Sequence, residues 1–187
     1  MDADGGPPGS ADSIILVDAG DRDVGTATKL DAHRSGALHR AFSVFVFDAQ
    51  GFLLLQQRAR SKYHSGGLWT NTCCGHPRPG EATAAAAERR LREEMGIACP
   101  LREAGWFVYR ADVGGGLVEH ELDHVLVGTS TREPRPDPAE VAGWRRMPVP
   151  DLRMELVRRP TGFTAWFPRA LEIALSAVSS TLSEKLS

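Results

Sequence analysis

The 187-residue chain lacks most features that mark the special classes of protein. Its cysteines number three, with Cys73 and Cys74 adjacent, which excludes a disulfide framework and fits a reducing compartment. No apolar run approaches the roughly 20 residues of a membrane-spanning helix. The first twelve residues, rich in Gly, Asp, Pro and Ser, lack the basic and apolar regions of a secretory signal and read as a disordered leader. The chain is therefore expected to be cytoplasmic. Neither sign of charge dominates: 22 Lys and Arg against 24 Asp and Glu leave a net −2, with no push toward nucleic acid or membrane as partner. Repeats and interdomain linkers are also missing, so residues 13–187 are expected to form a single domain with an adequate core.

What is present is concentrated in Thr70 to Ile97. An apolar stretch (Gly67, Leu68, Trp69) runs into the two cysteines and a Gly-His-Pro turn. Pro77, Pro79 and Gly80 then lead to strong helix formers from Glu81 to Met95, with Gly96 as the stop. The charged run Glu88 to Glu94 has a bland explanation, a solvated face laced with Arg89–Glu93 and Arg90–Glu94 pairs. The register argues otherwise. Counted from Gly75, five residues precede Glu81, seven follow it, and then come Arg89, Leu91, Glu93, Glu94, Gly96 and Ile97. This resembles the Nudix box, G-x5-E-x7-R-E-U-x-E-E-x-G-U, where U is a bulky aliphatic residue. The single departure is Arg90, where the box has glutamate. Arg90 lies one turn before Glu94 on the same face. In a Nudix hydrolase, glutamates on this face hold divalent cations that activate water against a diphosphate. A guanidinium there repels a metal and pairs with Glu94, so the expectation is a diphosphate site without metal-assisted hydrolysis.

Around this helix, strands are expected at Ile14–Val17, Val24–Lys29, Leu38–Phe47, Phe52–Gln56, Trp106–Asp112, Leu117–Gly128 and Trp144–Met147. Lys29, His33 and Arg34 fall in what reads as a polar loop. Brief helices are expected at Ala139–Ala142 and Asp151–Val157, and a last one from about Arg169 toward Leu182. The pattern implies a mixed sheet covered on both faces, an α/β/α sandwich.

Glu119 and Glu121, two apart in an apolar strand, share a face. Such a pair is costly unless a cation sits between the carboxylates, or it marks an exposed edge strand kept from aggregating. Three imidazoles (His33, His39, His76) with these two carboxylates would suit Mn2+ or Zn2+ in five- or six-fold coordination. Spacing alone does not assemble them.

Thr70-Asn71-Thr72-Cys73-Cys74-Gly75-His76-Pro77, the Nudix-like helix, Tyr109-Arg110 and Glu119-His120-Glu121 together resemble the type I isopentenyl-diphosphate isomerase family, from about Ile14 to Trp166. The resemblance implies a Nudix-like fold and a metal site of His33, His39, His76, Glu119 and Glu121. It implies Cys74 and Glu121 as catalytic residues, with Tyr109. A Mg2+ bridging the substrate diphosphate would use Glu94, with the backbone of Cys74 a further ligand. Lys29, Arg58 and Lys62, and more weakly Arg78, match diphosphate contacts. The tryptophan facing the substrate falls on Trp166, with Phe163 an alternative, and Trp69 is a second aromatic candidate. The partner implied is a small diphosphate, and the assembly expected is a monomer or weak homodimer.

Isomerising isopentenyl to dimethylallyl diphosphate means protonating an unactivated alkene and removing a proton from the neighbouring carbon, with a tertiary carbocation between. By analogy Glu121 with Tyr109 protonates and Cys74 deprotonates, and the residues leave the direction open. A Nudix hydrolase of a nucleoside diphosphate derivative is the competing expectation, but it leaves Cys74, the histidines and Glu119/Glu121 unexplained. A non-catalytic, metal-stabilised binding domain is the third.

Overall fold

The computed structural model describes residues 12–184. The expected leader therefore lies outside the described residues except for Asp12. Strands β1 (Ser13–Val17) and β2 (Asp23–Thr28) form a hairpin, followed by α1 (Lys29–Ser35) and the central strand β3 (His39–Phe47). Strand β4 (Leu53–Arg58), the short β5 (Trp69–Thr70) and β6 (Cys73–Gly75), and α2 (Thr83–Met95) come next. The long hairpin β7 (Leu101–Gly114) and β8 (Leu117–Thr129) leads to β9 (Val141–Met147), α3 (Val149–Arg158) and α4 (Phe167–Glu184).

Strand β3 is the hub of a mixed sheet. It runs parallel to β8 from His39↔Glu121 to Phe47↔Thr129. Its other edge is shared by β1 at His39, β6 at Phe42 to Val44, and β4 at Val46 and Phe47. Alternation along β3 sorts its side chains between two cores. Phe42, Val44 and Val46 pack with Ala86, Ala87, Leu91 and Met95 of α2. Phe45 and Phe47 pack with Phe163, Phe167, Leu171 and Ala174 on the opposite face, at and beside α4. The sheet is thus covered on both sides, as its doubly apolar centre requires.

The second face changes character halfway along. Val125 and Val127 of β8 lie in that core, but the same face carries Glu119, Glu121 and Asp123 at the other end of the strand. On β3, His39 and Ser43 likewise replace the phenylalanines. The polar ends of both strands coincide because the strands are parallel and in register. Nearby, β4 touches β3 only at Val46↔Leu54 and Phe47↔Leu53 and then diverges. Thr72 spans the split, its hydroxyl donating to the Leu54 carbonyl at 2.6 Å and accepting from the Val46 amide at 2.9 Å.

Several elements differ from expectation. Lys29 to Ser35 form a helix rather than a loop. Thr28 caps it by accepting from the Asp31 amide, and Gly36 closes it in the left-handed region; two good caps stabilise a helix too short to show periodicity. No helix forms at Ala139–Ala142. There the chain joins the sheet as β9, pairing Val141 with Arg58 and giving the outer edge of β4 a hydrogen-bonded partner. Strand β7 starts at Leu101, earlier than expected, and α4 at Phe167.

Candidate active site

The divergence of β3 and β4 opens a cavity of about 430 Å3. Cys74, opposite Ser43 on the sheet, and Glu121, opposite His39, both line it. Cys73 alternates to the other face and is fully buried against α2. Burial pushes the Cys74 thiol up to about 12, opposed by the Arg58 guanidinium, whose Nη1 lies 3.5 Å from the sulfur.

Tyr109, opposite Glu121 on β7, holds its hydroxyl 2.5 Å from Glu121 Oε2 and 2.9 Å from Glu119 Oε2. One hydroxyl proton serves one acceptor at a time, so these two contacts need a second proton on a carboxyl group. Burial, then the charge of Glu121, pushes Glu119 up. The burial cost of Glu121 is outweighed by His39 and His76 when their Nε2 atoms carry protons toward it, and it is then held well below the usual carboxylate range. Burial and both glutamates raise Tyr109 well above its ordinary value.

His33 comes from α1, His39 from the first position of β3, and His76 from just after β6. Their donor atoms and that of Glu121 lie within 4.8 Å of one another. His76 Nε2 is 2.9 Å from Glu121 Oε1 and His39 Nε2 is 3.4 Å from it. His39 Nδ1 is 2.9 Å from the Ala37 carbonyl, which only accepts, so its proton sits there and Nε2 is bare. The Nε2 atoms of His33 and His39 are buried with no hydrogen-bond partner among the described residues. Bare nitrogens facing a carboxylate in a dry site are the donor set of a divalent cation, so these residues fit a metal. Glu119 falls instead into an overlapping trio with His33 and His64. His64 was legible only as part of a basic loop, because nothing in its spacing relates it to His33 or Glu119.

The cavity wall is also rich in cationic groups. Lys29, Arg58, Lys62, Arg78, Arg89 and Arg90 line it. Burial, with Arg58 close by, lowers the Lys29 ammonium. The expected Arg90–Glu94 pair forms at 2.6 Å, and Arg90 Nη2 also reaches Glu140 at 3.2 Å. Glu94 is 4 % exposed, and its second oxygen accepts from Gln56 Nε2. Glu94 enters neither metal-binding group, which leaves one carboxylate on which a cation could rest only with oxygens from a ligand. Sequence reasoning missed Glu140, which pairs with both Lys62 and Arg90; it is brought in by β9.

The aromatic candidates separate. Trp166 lines the cavity, its indole Nε1 donating to Asn71 Oδ1 at 3.0 Å and its ring 5.6 Å from the Arg58 guanidinium. Trp69 is not among the lining residues; it lies under Arg145 at 4.1 Å and packs against the α4 core. Phe163 is buried in that core, stacked on Phe167. Both positions are set by the β5–β6 crossing, where Thr70, Asn71 and Thr72 are fully buried and bonded.

The NUDIX domain model matches residues 37–167. Isopentenyl-diphosphate Delta-isomerase 2 of Aromatoleum aromaticum is 50% identical over 168 residues, covering 90% of this chain and 89% of its own length. Isopentenyl-diphosphate Delta-isomerase of Burkholderia multivorans is 55% identical over 161 residues, covering 86% and 92%. Among solved structures, a Deinococcus radiodurans protein superposes with a TM-score of 0.68 at 22% identity, covering 86% of this chain and 96% of its own. A MutT protein of Methanosarcina mazei superposes with a TM-score of 0.60 at 18% identity, covering 72% and 91%. These last two share the fold.

Proposed function

The chain belongs to the isopentenyl-diphosphate Delta-isomerase family of NUDIX-domain proteins, and we propose that it works through the residues gathered in this cavity. It interconverts isopentenyl and dimethylallyl diphosphate. The observation that carries the residue assignment is that Cys74 and Glu121, from different strands, line the same small cavity. Its volume of about 430 Å3 suits a small ligand. The hydrocarbon tail lies between the thiol and the carboxyl group, and Lys29, Arg58 and Lys62 take the diphosphate.

Cys74 Sγ and the Glu121 carboxyl group, the latter sharing a proton with Tyr109 Oη, act as donor and acceptor. The two exchange roles when the reaction runs backwards. The Trp166 ring face stabilises the cationic carbon by about 1–2 kcal/mol. Its wall of the cavity also keeps out water, which would trap the cation as an alcohol. Asn71 fixes the indole so that a face, not the N–H, is presented.

His33, His39, His76, Glu119 and Glu121 hold the resident divalent ion, Mn2+ or Zn2+, and Glu94 contacts a Mg2+ that arrives with the diphosphate. When bound, the resident ion supplies positive charge that orients Glu121 and tunes its acidity. Arg90 neutralises Glu94, so the carboxylate cluster that a hydrolase needs is not available.

Incubation with isopentenyl diphosphate in deuterated water tests this. Deuterium appears in the dimethylallyl product with the wild-type chain and in none with Glu121→Gln. Label transfer undiminished in that variant would remove Glu121 from the chemistry.

A further inference from the structure

His64 takes no part in the mechanism above, yet it is built into the same centre. It is 5 % exposed, and its Nε2 faces Glu119 Oε1 at 3.3 Å. The donor atoms of His64, Glu119 and His33 lie within 4.8 Å of one another. His33 also belongs to the quartet with His39, His76 and Glu121. Its Nδ1 is taken by the Tyr63 hydroxyl at 2.8 Å, so only the buried, unpartnered Nε2 remains to bind a cation. An imidazole nitrogen has one lone pair, which serves one ion. The trio and the quartet therefore meet at that one nitrogen, and a single ion drawn to it would be shared between them.

We propose that His64 is a further ligand of that single divalent ion, giving a sphere of four imidazoles and two carboxylates. The inference rests on the metal-centre assignment under the proposed function. The loop that carries His64 holds it in place. Ser65 has a φ of 52° and Gly66 passes so close to the Arg60 carbonyl that a Cβ would lie 2.9 Å from it. Arg58 Nη2 donates to the His64 carbonyl at 3.3 Å, and His64 Nδ1 lies 3.3 Å from Ser65 Oγ. In the tautomer that carries its proton on Nδ1, toward that hydroxyl, the bare Nε2 and the Glu119 oxygen are two acceptors facing each other in a buried site. A shared cation removes the conflict. Consecutive loop residues thus serve one ion: Tyr63 fixes the ring of His33, as an outer-sphere partner does, and His64 binds directly. Six donors, four of them nitrogen, favour a six-coordinate ion with affinity for imidazole.

The competing role for His64 is to donate Nε2–H to Glu119 without touching the metal. X-ray absorption of the cobalt-loaded full chain separates the two, because imidazole scattering reports how many histidines are bound. The expected count is four in the wild type and three in His64→Ala, with a tenfold or greater loss of Co2+ affinity measured against a competing chelator. A count of three in the wild type overturns the proposal while leaving the metal centre standing. Failure of the wild type to bind cobalt at all overturns both. Should His64→Ala not fold, the wild-type count alone decides, with His64→Gln as the second variant.

Discussion

At the scale of single residues, the site turns on which charges have partners. Cys74 is half-buried, its sulfur contacted by Arg58. Cys74→Ala removes one of the two groups proposed to handle protons, and little packing. A loss of about 10²–10⁴ in kcat is expected, with the thermal transition within a degree or so of the wild type. Comparison of turnover and melting on the same preparation checks both halves. Arg90 is the opposite case, because its value is in the pairing. Arg90→Gln leaves the buried Glu94 carboxylate with Gln56 alone. Breaking a buried pair on one side costs about 3–5 kcal/mol, less here because Arg90 is partly exposed, so about 2 kcal/mol is expected. Added Mg2+ should recover part of that loss, since a divalent ion can replace the guanidinium. A denaturation midpoint indifferent to both the substitution and Mg2+ would show that the pair does not neutralise Glu94.

At the scale of elements, α2 carries the most readable information in the chain. Its entry is held by Glu81, whose carboxylate takes two parallel bonds from Arg89, both 2.8 Å, and accepts from the Arg78 amide at 2.9 Å. The Arg89 hydrogen bond holds Glu81 at about 2, below its ordinary 4.5. A depressed carboxylate contributes stability that is fully present above pH 4.5 and lost as the pH falls through about 2. Glu81→Gln should therefore lower stability at neutral pH by roughly 1 kcal/mol, the upper end for exposed pairs. Urea midpoints measured from neutral pH downward should show the gap between variant and wild type closing across that window. A gap that stays constant would remove Glu81 from the acid response.

The far end of α2 has a different constraint. Gly96 sits at φ 65°, and a Cβ there would lie 2.7 Å from the Arg135 carbonyl, so the last fixed glycine of the motif is needed for both conformation and space. This helix was legible because its signals are local: caps, propensity and spacing all lie within one stretch. Helix α1 was missed although Thr28, Asp31 and Gly36 are also local signals. Seven residues are too few to show a period, and its inward face carries His33, which reads as polar. Strand β9 was misjudged over Val141 to Gly143 because what decides its conformation is the free edge of β4, more than 80 residues earlier in the chain by rough count.

At the scale of the whole molecule, the proposed metal centre ties together segments that sequence separates. Its donors come from α1, β3, the residue after β6, and β8, so an ion that binds only this arrangement stabilises all of them at once. At a free ion concentration 100 times the dissociation constant the linkage is about 2.7 kcal/mol. For a chain of this length that is roughly 5–10 °C in Tm. Exhaustive chelation should lower Tm by that order, and returning Mn2+ or Zn2+ should restore it. His33→Gln should abolish the metal-dependent part while still folding. A Tm that ignores chelation would separate the histidine cluster from any resident ion.

The sequence by itself determined the Nudix-box motif, the helix that bears it, the alternation that makes β3 central, and the chemical types of Cys74, His76, Glu119 and Glu121. Each of these follows from spacing within a single stretch, where bond geometry fixes which side chains share a face. Only the tertiary structure decided that Trp166 rather than Trp69 faces the cavity, that Glu140 joins Lys62 and Arg90, and that His64 stands beside Glu119. Those contacts depend on how far β4 diverges from β3 and on which edge β9 pairs with. Both are settled by packing across the sheet, where no local rule reaches.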